Sequence, residues 1–253
     1  MKEMSFTEHL EELRTTLIRV AIILVGTFVF TYLFGAPIAE FLLQPLRDAL
    51  SQRSGELGGL ASSDKIVYLG ILDKVISQLQ VAFWSSMILS SPLWFLELWR
   101  FIKPGLYDHE LKAVKPFLFV GFMLFVLGIL FGYYLVFPFT FETLLNFGVS
   151  EVQAMISLRD YLVLSSKVLV LLGFLFQLPN VMLILGFMGV VTKQSLRKMR
   201  RYVYVGFAVL SACLTPPDIL TMMGLWLPMM LLFEVGIWVV AFIVHPYLEK
   251  QHS

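Results

Sequence analysis

Residues 116–137 have the sequence PFLFVGFMLFVLGILFGYYLVF and contain no Asp, Glu, Lys, Arg or His. A helix needs about 20 predominantly apolar residues to cross the hydrocarbon core of a bilayer, so this stretch predicts a transmembrane helix. The composition indicates that the whole chain is a membrane protein. Of its 253 residues, 58% are hydrophobic and 15% are charged, whereas soluble domains contain about 25% charged residues. The mean hydropathy is +0.81. These values exclude a soluble enzyme, a disordered chain and a nucleic-acid-binding protein.

The apolar stretches predict an all-α integral membrane protein that forms one membrane domain, residues 1–253. Six transmembrane helices are predicted at residues 17–34, 79–98, 116–137, 161–188, 202–214 and 224–244. The fifth has only 13 residues, too few for a straight helix to cross a bilayer of normal thickness. We therefore expect a concave bundle with a short fifth helix and a candidate short sixth helix. Five spans with a re-entrant hairpin are the alternative.

The orientation follows from the basic residues of the loops. Most of the 19 Lys and Arg residues lie at the N terminus and in the short loops after the second and fourth predicted spans. Because such loops remain in the cytoplasm, both termini are predicted to be cytoplasmic. The expected location is the cytoplasmic (inner) membrane, as a multi-pass protein in direct contact with the lipid bilayer.

Two segments outside the spans also have helical patterns. Residues 1–16 are too acidic for a secretory signal, and they predict a short helix on the cytoplasmic membrane surface. Residues 35–78 form the long outer loop. They predict an interfacial helix that bends or ends at Pro45, a flexible Gly- and Ser-rich tip over residues 51–63, and a second amphipathic helix from Asp64 onward.

Motifs for catalysis or metal binding are absent from the sequence. No two of the four histidines have ligand spacing, and there is no HExxH, GxSxG, Walker A or GxGxxG motif. The single cysteine, Cys213, excludes an intrachain disulfide. We therefore predict no catalytic residue, no metal, no cofactor and no enzymatic activity.

Three of the polar residues within the predicted spans are candidates for a functional role: Lys167, Gln177 and Glu234. Charged side chains there usually face protein or a wet cavity, and we expect Lys167 and Glu234 to pair across helices. The structural interpretation is snorkelling of Lys167 and helix-to-helix bonding by the other two. The functional interpretation is a polar patch that engages a partner's polar segment. A secondary transporter for a small solute or ion, using these three residues, is the alternative function.

Acidic residues also gather on the predicted cytoplasmic face. Glu8, Glu11 and Glu12 lie within two helical turns, and Glu110 lies in a short loop rich in aromatic residues and proline. Such charges usually form a solvated surface, but this loop composition predicts a fixed shape. Glu97, near the end of the second span, is interpreted as a side chain that reaches water.

Three motifs make the chain recognisable. Residues 9–14, HLEELR, resemble the HLxELR motif of the twin-arginine translocase subunit TatC. Residues 99–110, WRFIKPGLYDHE, are similar to that family's first cytoplasmic loop, and residues 214–218, LTPPD, to its conserved turn. Further dipeptides and tripeptides, at residues 91–92, 137–138, 177–179 and 232–234, follow in matching order. The chain is therefore identified as a member of the TatC family.

The resemblance implies a non-enzymatic subunit in the protein transport pathway called twin-arginine (Tat) translocation. TatC proteins bind signal peptides that carry paired arginines, and they act with single-span partners of the TatA and TatB type. Self-association in a complex is also expected. Together these proteins move folded cargo across the membrane, driven by the protonmotive force.

The resemblance also assigns roles by motif. Glu12 and Glu110 match the acidic signal-peptide contacts, and Glu8 is a weaker candidate one turn from Glu12. Other matched positions are functional (Arg14, Phe101) or structural and functional (Pro45, Pro92, Pro104, Asp218). Gln177 stands where many relatives have a glutamate, so a strict requirement for a carboxylate there is in doubt.

Elementary chemistry agrees with an acidic site for paired arginines. A guanidinium is always charged and offers a planar fork of donors that suits a carboxylate. Two such bonds at a partly exposed site are worth about 3–6 kcal/mol before ordering costs. Lysine has the charge without the fork. A structural membrane scaffold, the third functional class, would tolerate loss of Glu12 and Glu110.

Overall fold

The computed structural model describes the backbone of residues 6–56, 65–103, 108–146, 155–215 and 219–244. It describes the side chains of residues 10–51, 66–103, 116–144, 155–215 and 219–244. Nearly all of the described backbone is helical, and the rest includes one pair of three-residue strands.

The helices follow one another along the chain with short connections. In chain order they are α1 (Phe6–Leu33), α2 (Gly35–Glu56), α3 (Asp73–Leu89), α4 (Ser91–Ile102), α5 (Asp108–Phe131), α6 (Phe137–Asn146), α7 (Leu158–Leu175), α8 (Leu178–Phe187), α9 (Lys193–Leu214) and α10 (Ile219–Val239). A π-helical turn, Gly132–Val136, joins α5 to α6, and a second, Val240–Val244, extends α10.

Four helical segments in the described residues are long and apolar enough to cross a membrane: Leu10–Leu33, Pro116–Leu144, Leu158–Phe187 and Ile219–Val244. A fifth candidate consists of α3 and α4, which are bent by 56° relative to each other. The structure is thus a helical, multi-pass membrane protein with four or five candidate spans.

The first candidate span is continuous with the N-terminal segment. We expected a separate surface helix over residues 1–16, but α1 runs without a break through 28 residues. No proline interrupts it, and the acidic residues of its first turns suit the positive end of a helix dipole. The backbone therefore continues from the polar segment into the apolar one.

Pro92 separates α3 from α4, as a kink in the second predicted span requires. Proline has no N–H and cannot continue the hydrogen-bond ladder of a helix, and Pro92 lies in the first turn of α4. Side chains bond the carbonyl groups near the bend: the Trp94 indole donates to the Met87 carbonyl at 3.0 Å, and the Ser90 hydroxyl to the Ser86 carbonyl at 2.6 Å. The bend is therefore a well-bonded corner.

Pro45 neither ends α2 nor leaves a free backbone acceptor. The helix continues to Glu56, so of the two predicted alternatives, a bend or an end at Pro45, the end is wrong. The prediction that a flexible tip starts at residue 51 is also wrong. Pro45 has no N–H for the carbonyl of Phe41, four residues earlier. The Tyr133 hydroxyl donates to that carbonyl at 2.8 Å, and the Tyr161 hydroxyl donates to the Leu42 carbonyl at 2.6 Å.

The apolar face of α2 packs mainly on protein. Leu42, Leu43 and Leu46 are buried, and the helix contacts α3, α6 and α7. The Phe41 ring stacks on Tyr133 with 4.4 Å between centroids. The helical spacing was therefore read correctly in the sequence, but much of the face we assigned to the membrane interface covers other helices.

The α5 and α7 helices cross each other in close contact. Two glycines allow the backbones to approach: a Cβ on Gly128 would lie 2.7 Å from the Leu172 carbonyl oxygen, and one on Gly173 would lie 2.7 Å from the Phe125 ring. The Phe125 side chain is fully buried and packs edge-on against Trp94, Phe95 and Phe174. Close packing of this kind holds helices together where the bilayer supplies no hydrophobic driving force.

The α9 helix is half polar. It has 22 residues, but Lys193, Arg197, Lys198, Arg200 and Arg201 lie in its first half. Its apolar part, residues 202–214, rises only about 20 Å, against a hydrocarbon core of about 30 Å. The α9 helix is accordingly not among the candidate spans.

A small polar unit joins two loops at the N-terminal ends of α3 and α7. Strands β1 (Lys65–Val67) and β2 (Met155–Ser157) pair in parallel. Beside them Arg159 bonds Asp73 at 3.0 Å, and Asp73 accepts the Gly70 N–H at 2.6 Å. Residues 65–72 are therefore not the start of a helix, as we expected from Asp64 onward. Residues 57–64, the rest of the predicted tip, lie outside the described residues.

Removing the hydroxyl that bonds α2 should destabilise the protein. We expect Tyr133→Phe to lower the free energy of unfolding by about 1–2 kcal/mol, because the Phe41 carbonyl loses a donor in a water-poor site. Thermal unfolding in detergent measures the change. Tyr134→Phe is the matched control, since Tyr134 is 68% exposed. Equal melting temperatures for the two variants would contradict this role of Tyr133.

A single methyl group at the α5–α7 crossing should also be destabilising. We expect Gly128→Ala to lower the free energy of unfolding by about 1–3 kcal/mol, because the new Cβ overlaps backbone. Gly206→Ala is the control: a Cβ there meets nothing within 4 Å, and alanine favours helix by up to about 1 kcal/mol. Thermal unfolding of both variants checks the prediction, which fails if Gly128→Ala is neutral.

Candidate functional site

A polar cleft lies between α1 and α4, at the end of the bundle that carries the N terminus. Its volume is about 300 Å³. It is lined by two carboxylates, two hydroxyls and two guanidiniums: Glu11, Glu12, Thr15, Thr16, Arg19 and Arg100. Helical spacing brings the α1 residues together, because positions three or four apart share a face. We call this feature the acidic cleft.

Glu12 has an unused acceptor in the acidic cleft. Its side chain is half-buried, and its Oε2 atom is shielded from solvent yet accepts no hydrogen bond from the residues that the structure describes. A shielded carboxylate oxygen without a donor is unfavourable. The geometry therefore suits a cationic ligand that donates hydrogen bonds.

Glu97 lies behind two arginines of the acidic cleft. Only 7% of this residue is exposed, although we expected it to reach water. Its Oε1 is 2.5 Å from Nη1 of Arg100, and its Oε2 is 3.5 Å from Nη1 of Arg19. The Oε2 atom has this ion pair but no hydrogen bond. Two guanidiniums thus neutralise one buried carboxylate.

The other predicted cleft residues are only partly described. Arg14 is exposed on α1 and does not line the acidic cleft, and Phe101 is half-buried in the last turn of α4. The backbones of Glu8 and Glu110 lie in the first turns of α1 and α5, but their side chains lie outside the described residues. Pro104 and Asp218 also lie outside them.

Gln177 occupies a second polar site, at the break between α7 and α8. It is buried, and its Nε2 donates to the Gly121 carbonyl at 2.8 Å. Its Oε1 accepts a long bond, 3.4 Å, from Asn180, whose own Oδ1 is shielded and accepts nothing from the described residues. Pro179, in the first turn of α8, breaks the helix here.

An apolar groove of about 310 Å³ adjoins these two amides. Aromatic and aliphatic side chains of α4, α5, α7 and α8 form it: Trp94, Phe95, Leu98, Trp99, Ile102, Phe117, Leu118, Phe174, Val181, Ile184 and Leu185. The amides are thus the polar spot of an otherwise apolar surface, which we call the Gln177 groove.

Glu234 binds a different partner from the one we predicted. Its two carboxylate oxygens bind Arg200, at 2.5 Å, and the Tyr204 hydroxyl, and both partners belong to α9. Lys167 is exposed on α7 and forms no ion pair with the described residues. The predicted Lys167–Glu234 pair is therefore not formed. The predicted fifth span began at residue 202, so Arg200 lay outside the predicted membrane segment that contained candidate partners for Glu234.

Sequence reasoning also missed the arginines of the acidic cleft. Arg19 is far in the sequence from Glu97 and Arg100, which are themselves at the (i, i+3) spacing of a helix. That (i, i+3) spacing was the available signal, because such pairs meet on one face. Asn180 could have been found three residues after Gln177 by the same rule. The described residues contain no group of three His, Cys, Asp or Glu side chains that could hold a metal ion.

Comparison with known sequences identifies the family. A family model described as Sec-independent protein translocase protein (TatC) matches residues 8–228. The chain is 39% identical over 231 residues to a TatC of Magnetococcus marinus, covering 91% of this chain and 81% of that protein. It is 32% identical over 236 residues to TatC of Escherichia coli, covering 93% and 88%.

The fold leads to the same family. The chain resembles a crystal structure titled twin arginine translocase receptor TatC, with a TM-score of 0.79, 28% identity, and coverage of 93% of this chain and 99% of that one. A second crystal structure of such a receptor, in DDM, gives a TM-score of 0.80 at 29% identity, with coverage of 92% and 99%. From the sequence motifs, the helical frame and these comparisons, the chain belongs to the TatC family of Sec-independent protein translocase proteins.

Proposed function

We propose that this protein is the signal-peptide receptor and core subunit of a Sec-independent, twin-arginine protein translocase. It acts as a non-enzymatic component that exports folded proteins, driven by the protonmotive force. Family membership supports the translocase role. The observation that carries the receptor role is the shielded, unpaired Oε2 of Glu12 in the acidic cleft.

Paired arginines match that cleft chemically. A guanidinium brings a permanent positive charge and several N–H donors in a plane, and the Glu12 carboxylate lacks a donor. Glu110 follows Arg100 by only ten residues and lies in the first turn of α5, so we assign it the second guanidinium. Each charge-assisted bond is worth about 1.5–3 kcal/mol. Two adjacent lysines supply the charge without the fork.

The proposed orientation places the acidic cleft in the cytoplasm. Both termini are cytoplasmic, and the protein crosses the cytoplasmic membrane six times, with α9 as a short fifth span. The basic residues of α9 and of the α4–α5 connection support this arrangement through the positive-inside rule. The short apolar part of α9 thins the bilayer locally, or leaves a partly wet wall, because 20 Å of apolar helix meets about 30 Å of hydrocarbon.

We assign the Gln177 groove to partner binding. Single-span proteins of the TatA and TatB type are the partners in the complex, together with further copies of this chain. An apolar helix fits an apolar groove, and Asn180 Oδ1 offers a free acceptor for a polar side chain of that helix. Gln177 thus fulfils with an amide the role that a carboxylate has in many relatives.

The small-solute transporter is not favoured. It required Lys167, Gln177 and Glu234 to form one pathway, but both oxygens of Glu234 bind residues of α9, Arg200 and Tyr204. Lys167 lies on the exposed surface of α7. The described residues therefore supply no shared polar site for these three side chains.

Export by cells tests the receptor role. In cells that lack their own twin-arginine system but contain TatA- and TatB-type partners, we expect this protein to export a folded reporter with a paired-arginine signal. Glu12→Ala or Glu110→Ala should reduce export and signal-peptide crosslinking at least about tenfold, because one charge-assisted bond is lost. Glu40→Ala, an exposed acid on α2, is the control.

Measuring how much of each variant is inserted in the membrane separates a defect in signal-peptide capture from a defect in folding. Each variant is compared at equal amounts of protein in the membrane, and crosslinking is scored separately from export. Wild-type crosslinking in both acidic variants would refute the receptor assignment. Flux of a small solute through the purified chain in liposomes would instead support the transporter.

The Gln177 groove makes a separate prediction. We expect Gln177→Leu to lower crosslinking of a TatA- or TatB-type partner several-fold, since the hydrogen-bonding spot becomes apolar, while Gln177→Glu largely preserves it. Val181→Leu, an apolar change in the same groove, controls for altered shape. Signal-peptide capture at the acidic cleft should be unchanged in all three variants. Equal partner crosslinking in the Leu and Glu variants would contradict a polar contact.

A further inference from the structure

The buried Glu97 carboxylate lies directly behind two arginines that line the acidic cleft. Arg19 and Arg100 line the cleft, whereas Glu97 does not. Both arginines nevertheless direct a guanidinium at Glu97, at 3.5 Å and 2.5 Å. The two arginines therefore stand between the cleft and the carboxylate.

Glu97 and its two arginine partners differ sharply in solvent exposure. The Glu97 side chain is 10% exposed, whereas the side chains of Arg19 and Arg100 are 52% and 63% exposed. A buried carboxylate needs a cation near it, but a half-exposed arginine loses little when it moves into water. The carboxylate is thus fixed, and its two cations are exchangeable.

Glu97 also has unused capacity as an acceptor. Its Oε2 atom is shielded from solvent and accepts no hydrogen bond from the described residues, since the Arg19 guanidinium approaches it only as an ion pair. An ionised carboxylate offers about four acceptor positions. The Oε2 atom of Glu97 therefore suits a better-oriented guanidinium than that of Arg19, whereas Oε1 already accepts a hydrogen bond from Arg100.

We propose that Glu97 is a third acidic contact for the client's paired arginines, and that Arg100, with Arg19, occupies it until a client guanidinium takes its place. The inference rests on the proposed function and adds an internal competitor to it. Because the exchange replaces one guanidinium by another, the buried carboxylate keeps a planar donor throughout. A client guanidinium can form two parallel bonds with a carboxylate and a client lysine cannot, so Glu97 contributes to the preference for arginine.

This mechanism predicts opposite effects from the two ends of one ion pair. Glu97→Gln removes the client's ligand and should weaken binding, whereas Arg100→Gln removes the competitor and should strengthen it. A purely structural ion pair predicts the same direction for both variants, because either change breaks the same bond. The direction of the Arg100 effect is therefore decisive.

The test uses the full-length protein in lipid nanodiscs and two fluorescent signal peptides that differ only in Arg-Arg or Lys-Lys. We expect Glu97→Gln to weaken Arg-Arg binding about tenfold and to reduce discrimination against Lys-Lys, as for loss of one charge-assisted bond. Arg100→Gln should strengthen Arg-Arg binding about three- to tenfold, and Arg100→Lys less. Glu40→Gln on α2 is the matched charge control.

Every outcome bears on the proposal. Unchanged or weaker binding by Arg100→Gln overturns it, as does unchanged binding by Glu97→Gln. If Glu97→Gln does not fold, the Arg100→Gln and Arg100→Lys variants decide alone. Loss of binding in Glu12→Gln with wild-type behaviour of the Glu97 and Arg100 variants removes only this inference. Wild-type binding in Glu12→Gln and Glu110→Gln would instead remove the receptor function itself.

Discussion

The scarcity of water in the hydrocarbon core is the constraint on which the rest of this structure depends. A polar group that is shielded from water must find its partner within the protein, as the backbone carbonyls near two prolines show. Pro45 deprives the Phe41 carbonyl of its N–H, and Tyr133, distant in the sequence, replaces it. At the Pro92 bend, the Trp94 indole bonds the Met87 carbonyl. Side chains from elsewhere in the sequence or the next helix thus bond the backbone carbonyls near these prolines.

The same constraint explains the polar residues that bridge helices. Glu234 would be costly alone between α9 and α10, but Arg200 and Tyr204 occupy both its oxygens. Gln177 bonds the Gly121 carbonyl across the α5–α8 contact. These groups hold helices together where the bilayer supplies no hydrophobic driving force. Against this background of satisfied groups, the few unsatisfied acceptors stand out as candidates for ligand contact.

Among the described residues, three shielded carboxylate or amide oxygens without a hydrogen bond lie at two surfaces: those of Glu12 in the acidic cleft, of Glu97 behind it, and of Asn180 beside the Gln177 groove. Their chemistry fits the two binding tasks of the proposed function. Carboxylates in and behind the acidic cleft suit a charged ligand that donates hydrogen bonds, while an amide in an apolar groove suits a partner helix. The two surfaces both include α4, so the bend at Pro92 helps to position both.

Much of the architecture could be predicted from the sequence, because crossing a bilayer demands long apolar helices. The apolar runs around residues 116–137 and 161–188 indicated candidate spans, and the HLEELR and LTPPD motifs indicated the family. Local pattern also placed Glu12 on a helix near the acidic cleft. The ends of the helices were harder to predict from the sequence: α1 continues through the expected boundary near residue 16, and α2 continues past Pro45.

Tertiary structure alone decided which distant groups meet. The sequence offered Lys167 as a partner for Glu234, but the packing of α9 against α10 brings Arg200 and Tyr204 there. It likewise offered Glu97 as a solvated charge, whereas the packing of α1 on α4 buries it beneath Arg19 and Arg100. The reason is physical: hydrophobic periodicity specifies which face of a helix is buried. The partner that a buried charge finds depends on how two helices cross, and no local pattern encodes that crossing.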